Sequence, residues 1–221
     1  MRHGAAPRPP RLRGALTCTL VVVAACGGSG FQYVENEEFS AYFKIDEDWA
    51  VYDEQEYFST PGLDMEPLQR QRRSATTWLR AFDGSDAPSL ANVLRDDAPA
   101  PHGVARIQLL TEVERESVNL AWLRSVHLGF DPVRVEREQP DGPVEIMRQE
   151  DLSLEGGQHG LRMVVAYDTP SGGVGVVDQT ALLDGANSVL YLFVVGCSDR
   201  CYLDHQETLE EVVSSWTIEK R

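Results

Sequence analysis

Positive charge, cysteine and long apolar runs are all scarce in this chain, and each shortage excludes something. Twenty Lys and Arg stand against 35 Asp and Glu, a net charge of −15. Such a surface repels nucleic acid and anionic lipid headgroups alike, so nucleic acid is not an expected partner and the folded face is not what holds the protein to a membrane. Four cysteines offer no pair to join the histidines in a zinc site. Beyond residue 25, His102, His127, His159 and His205 show no metal-ligand spacing with a third partner, and each reads as a surface or edge residue. No apolar run beyond residue 25 approaches the roughly 20 residues of a membrane-spanning helix. No Gly-x-Ser-x-Gly precedes a helix, and no acidic run has the calcium-loop spacing with its glycine. Glu35, Glu37 and Glu38, then Asp46, Glu47 and Asp48, then Asp96 and Asp97 read as solvated acidic surface. Gly172-Gly173-Val174-Gly175 lacks a lysine and a following helix, so it reads as a hairpin turn rather than a phosphate loop. The expectation is a chain without catalytic residues, metal or cofactor.

What is present starts at the N-terminus. Arg2, Arg8, Arg11 and Arg13 precede a short apolar stretch from Leu16 to Ala25, which small residues close. That is the zoning of a secretory signal. Val23-Ala24-Ala25-Cys26 resembles the bacterial lipobox, an aliphatic residue and two small ones before a cysteine. The resemblance implies cleavage before Cys26 and a diacylglyceryl group on its thiol. An ordinary signal peptide with a chance cysteine is the alternative. Residues 1–25 thus form the lipoprotein signal peptide, and 26–30, with Gly27 to Gly30, the acylated cysteine and a flexible tether. Five residues reach at most roughly 17 Å, so the body at 31–221 sits close to the membrane. Losing the signal removes four arginines and no acids, leaving 16 basic residues against 35 acidic ones, a net charge of −19.

Periodicity organises the rest as α+β. Phe39, Ala41, Phe43 and Ile45 alternate on one face of a strand, with Trp49 and Tyr52 beyond an acidic turn. Residues 53–75 are polar and irregular, Thr76 to Phe82 is a strand, and 83–101 is a long loop with one helical turn near Leu90 to Leu94. Val104 to Val113 returns to strand. A helix is expected over Arg115 to Leu128, stopped by Gly129 and Pro132. Four strands follow, Val144–Leu154, Leu161–Asp168, Gly175–Leu183 and Ser188–Val195, with short turn-rich gaps that predict antiparallel hairpins. A last helix over Asp204–Ser215 is expected, capped by Asp204 with Glu207 three residues on. Leu209, Val212, Val213 and Trp216 form its packing stripe.

This order resembles the PsbP-like α/β/α sandwich with its mainly antiparallel sheet, and small actinobacterial lipoproteins of the LpqN type. The residues carrying the likeness are Phe39, Phe43, Ile45 and Trp49 at the start, and Tyr191, Phe193, Leu209, Val213, Ser215 and Trp216 at the end. Asp46-Glu47-Asp48 stands where that family often has a proline and a glycine. The resemblance implies a scaffold or binding module and no catalytic residues.

Three sets of residues remain as site candidates. Cys197 and Cys201 are the cysteines left once Cys26 is acylated; a structural disulfide and a redox-active pair are both open, though thioredoxin-like motifs have two intervening residues and this stretch has three. Arg70, Arg72 and Arg73 could meet an anionic headgroup or partner, or be a solvated loop. Trp49, Tyr57, Trp78 and Trp122 could line a ligand groove, or be core. The expected role is a non-catalytic, lipid-anchored binding or adaptor protein on the outer face of the cell membrane, with an envelope protein or lipid as partner. A lipid or glycolipid carrier needs an apolar cavity. An envelope hydrolase needs acid, base or nucleophile converging in one cleft. An assembly factor would be recognised at the sheet edge or the 84–103 loop.

Overall fold

The computed structural model describes residues 30–61, 63 and 66–219. The signal, the Val23–Cys26 box and all but the last tether residue lie outside them. The chain opens with strands β1 (Phe31–Asn36), β2 (Ala41–Asp46) and β3 (Ala50–Asp53), then helices α1 (Glu54–Phe58) and α2 (Pro67–Thr76). Strand β4 (Thr77–Asp83), helix α3 (Leu90–Val93) and strand β5 (His102–Leu109) follow. Next come α4 (Glu112–Ser117), α5 (Leu120–Ser125) and α6 (Pro132–Glu138). The meander β6 (Val144–Ser153), β7 (His159–Asp168), β8 (Val174–Leu183) and β9 (Val189–Ser198) leads to α7 (Asp199–Asp204), α8 (Gln206–Ser214) and the short β10 (Thr217–Ile218).

Seven strands form one sheet in the order β3-β4-β5-β9-β8-β7-β6, and every neighbouring pair is antiparallel. The hairpins expected from short gaps are there. Their turns carry left-handed residues at Gly157 (φ 87°), Gly172 (φ 87°) and Asn187 (φ 53°), where glycine and asparagine are tolerated best. β8 and β9 are buried almost throughout because both faces of the sheet are covered. On one face Phe58 of α1, Val93 of α3 and Leu123 of α5 pack on Leu79, Val104, Met163, Val177 and Leu192. On the other, Leu209, Val212 and Val213 of α8 join Phe43 and Ile45 of β2 against Phe82 and Phe193. The architecture is therefore α+β, a sheet between two helical layers, with β1, β2 and β10 adding a small second sheet.

A buried ion cluster ties α8 to the sheet. Arg162 of β7 makes two hydrogen bonds to Asp178 of β8 at 3.0 and 2.6 Å, and two to Glu210 of α8 at 2.9 and 2.6 Å. Burial disfavours the Arg162 charge, but the bonds it donates to Asp178 and Glu210 more than offset this and hold it firmly protonated. No helix among the described residues is long and apolar enough to cross a membrane.

Several elements differ from expectation. Within 53–75, residues 54–58 and 67–75 are helical rather than irregular. An Asp53–Glu56 capping box starts α1, and Pro67 opens α2, which buries no side chain and so leaves no apolar stripe to detect. The single helix over 115–128 is two. Thr111 and Glu114 form a capping box for α4; Val118 is then extended, and Asn119 caps α5 by accepting from the Trp122 amide. Asp204 does not cap the last helix, because it ends α7; His205 stands at the junction and gives α8 no side-chain cap. Phe39 lies in the turn before β2 rather than in the strand.

Candidate functional site

One group of polar side chains gathers at one end of the large sheet, beside residues of the core under α1, α3 and α5. After α3 the chain turns through Asp96 and Asp97 and is tied down by the Ser198 amide, which donates to Ala98 O at 2.8 Å. Asp97 accepts from Thr169 Oγ1 at 3.1 Å and from Ser171 Oγ, which latches this turn onto the β7–β8 hairpin. Asp96 accepts from the Tyr167 hydroxyl and lies 3.8 Å from His127 Nε2, an ion-pair distance too long for a hydrogen bond. His102, at the start of β5, is only 4% exposed, and its Nδ1 donates to Ala100 O at 3.1 Å, so Nε2 is bare.

These groups shift one another. Burial pushes Asp96 up, yet His127 and the Tyr167 hydroxyl together hold it below the usual carboxylate range. Burial lowers His102, so the ring is neutral at pH 7 although Ala100 O and the Asp96 charge favour its protonation. Burial, helped by Asp96, pushes the Tyr167 phenol up, and it keeps its proton. The cleft between Tyr57, Val93, Asp96, His102, Val104 and His127 encloses about 20 Å³, room for one water. It holds a carboxylate, a neutral imidazole and a second histidine. Its lining includes no serine, threonine or cysteine that could act as a nucleophile. Among the described residues, no three His, Cys, Asp or Glu side chains stand together to hold a metal.

Two readings change here. His102 and His127 are not surface or edge residues: one is buried in β5, and the other is partly buried against Asp96. His159 and His205 are exposed. Asp96 and Asp97 are not simply solvated acid; both are consumed by local bonds. No spacing could have announced the group, since Tyr167 and Asp96 alone are 71 residues apart.

The four aromatic candidates fall on opposite faces of the sheet. Trp49 stacks on Phe82 at 5.9 Å, and Trp78 lies under the Arg80 guanidinium at 5.2 Å, both on the α8 side. Tyr57 and Trp122 pack on the other face, and of the four Tyr57 alone reaches the cleft. Arg70, Arg72 and Arg73 sit on α2, where Arg72 is exposed and Arg73 Nη1 is 3.5 Å from Gln108 Oε1. Cys197 and Cys201 form a disulfide, both residues buried, that joins the end of β9 to α7.

No protein-family model matches this chain, and no curated protein does. Solved structures with a similar fold include PsbP (CyanoP) of Synechocystis at 16% identity, covering 89% of this chain and 99% of that one, TM-score 0.35. Another is the PA94 protein of Pseudomonas aeruginosa at 9% identity, covering 86% and 99%, TM-score 0.40. A third is the Ran-binding protein Mog1p of Saccharomyces cerevisiae at 12% identity, covering 86% and 96%, TM-score 0.41. At scores this low the likenesses support no statement about activity or partner. The strands, their pairing and the two helical layers make the chain α+β, an antiparallel sheet sandwiched between helices.

Proposed function

We propose that this chain is a non-catalytic binding or adaptor protein that works through its surface, held by acyl chains on Cys26 at the outer face of the cell membrane. The observation that carries the reading is the filled interior. Apolar side chains close both faces of the sheet, and the cleft at Asp96 has space for one water, about 20 Å³. The larger hollows, such as that of about 650 Å³ beside Asp204, Glu207 and Glu210, are open surface grooves lined mostly by polar side chains. A drug-sized ligand needs roughly 300 Å³ or more, and a lipid chain needs an apolar tunnel. That argues against the lipid or glycolipid carrier and favours a macromolecular partner. The acidic surface supplies no attraction to anionic headgroups, so the thiol-linked chains are the means of retention. The test has two arms. Mass spectrometry of organic extracts from the purified protein should find no stoichiometric lipid beyond that on Cys26. Crosslinking in intact envelopes should yield one dominant protein adduct. A tightly held free lipid, or no protein adduct at any crosslinker length, would overturn the proposal.

The hydrolase reading has one observation in its favour, the meeting of Asp96, His102 and His127 in a single cleft. A water there would have a neutral imidazole as its base and no covalent nucleophile. Asp96, bound to Tyr167 and below its usual pKa, is a weak base. Hydrolysis of simple esters or amides that disappears in Asp96→Asn and His102→Gln would favour this reading over the adaptor.

A further inference from the structure

On the face of the sheet covered by α1 and α5, Arg106 of β5 and Arg73 of α2 both stand beside Gln108, with no acid bonded to either arginine. Gln108 is two residues from Arg106 on the same strand face and 3.5 Å from Arg73 Nη1. Arg106 lies mid-strand in β5, cross-paired with Leu79 and Leu192, both core residues, so its stem runs over apolar surface. Its Nε is enclosed and has no hydrogen-bond partner. Neither Arg106 nor Arg73 belongs to any salt bridge among the described residues. Burial first, and Arg73 second, push the Arg106 pKa down to about 10, while Tyr57 and Glu114 oppose the shift. In a chain with 35 acids and 20 basic residues, such a pair without a bonded acid is the exception.

The surroundings are built and polar. Gln108, 5% exposed, presents Oε1 to Arg73 and donates from Nε2 to Glu114 Oε1 at 3.0 Å. Glu114 also accepts from the Thr111 amide at 2.8 Å and the Thr111 hydroxyl at 2.9 Å, so α4 holds it in its capping box. Its charge offsets one arginine and leaves one positive charge over. Two guanidinium forks with a single surplus charge suit a planar monoanion with two acceptor oxygens better than a dianionic phosphate.

We propose that Arg73 and Arg106 form a recognition site for one carboxylate group carried by a protein partner. The choice of a protein rests on the membrane-anchored reading above and on position. Gly30, the last tether residue, accepts from the Glu47 amide next to β2, whose Phe43 and Ile45 pack on the other face of the large sheet. Gln108 is six residues along β5 from His102, a separation of about 20 Å, and that far end, with α2 and α4, is where Arg73 meets Gln108, with Arg106 one inward-facing position short of it. The site therefore faces away from the tether. This assigns to Arg73 a place among the basic residues of α2 and adds Arg106, which has no sequence neighbour to mark it.

The experiment follows the Arg106 Nε–H resonance in the full-length protein while acetate replaces chloride at fixed ionic strength. A saturable shift is expected. Arg73→Gln, a change on a helix with no buried side chain, should weaken it at least about tenfold without altering thermal stability. Thermal stabilisation of the wild type by acetate should be absent in Arg106→Gln. A shift that only tracks ionic strength, or equal affinity in Arg73→Gln, would overturn the site. Tighter binding of inorganic phosphate would overturn the choice of a carboxylate. Arg106-dependent binding of phosphatidylglycerol vesicles would overturn the choice of a protein. Membrane retention through Cys26 is read separately and can survive any of these failures.

Discussion

Arg162 is 7% exposed and satisfies two carboxylates at once, so its removal strands Asp178, 1% exposed, without a counter-charge. Arg162→Ala should lower the unfolding free energy by about 3–5 kcal/mol. The urea midpoint reads this, provided the denaturant slope is unchanged. A loss below about 1 kcal/mol would mean that water or a nearby cation replaces the guanidinium. His102 sets a pH dependence. Folded, burial holds its pKa below the ordinary value; unfolded, it protonates near 6.5. The unfolded chain therefore takes up a proton that the folded chain refuses, and the stabilisation present above about pH 6.5 is lost as pH falls below it. Asp131 and Glu210, held low by hydrogen bonds from Arg124 and Arg162, lose their contribution only further down, as pH falls through the carboxylate range. Unfolding curves between about pH 7 and 5 should thus slope downward, and His102→Gln should flatten them; an unchanged slope would assign the effect elsewhere. None of these residues was legible beforehand. Arg162, Asp178 and Glu210 sit in two strands and a helix, and a buried charge looks the same in sequence as a solvated one.

Caps and covalent ties govern the elements. Asn119 starts α5 by bonding the Trp122 amide at 3.0 Å, so Asn119→Ala should cost about 1 kcal/mol and loosen Leu123 from the core. Hydrogen exchange along 120–125 is the local readout. The Cys197–Cys201 bridge closes a five-residue loop, and its loss in the double Ala variant should cost about 2 kcal/mol by chain entropy. Reduced wild type should match that variant; a larger gap would point to packing of the buried sulfurs. Elements were legible where apolar periodicity marks them: β6 to β9, and the Leu209-Val212-Val213 stripe of α8. They were illegible where it does not. α2 buries nothing and carries three arginines, and the break at Val118 depends on a cap that ordinary helical spacing runs straight through.

For the whole molecule, the antiparallel pairing and the packing helix followed from hairpin spacing and apolar periodicity, because long-range antiparallel pairing begins with local turns. The two-layer cover of the sheet was implied only by the PsbP-like resemblance. The clustering of Asp96, His102 and His127 followed from neither, since it depends on where three separate segments end in space. The same is true of Arg106 and Arg73 standing beside Gln108. What the architecture contributes to function is a solid interior and an acidic exterior, which leave surface recognition and N-terminal acyl chains as the working parts of the proposed adaptor. The most direct measurement is membrane partition of wild type and Cys26→Ala after a high-salt wash. The account predicts that wild type stays with membranes until detergent is added and that Cys26→Ala is released without detergent. Retention of Cys26→Ala on salt-washed membranes would contradict it.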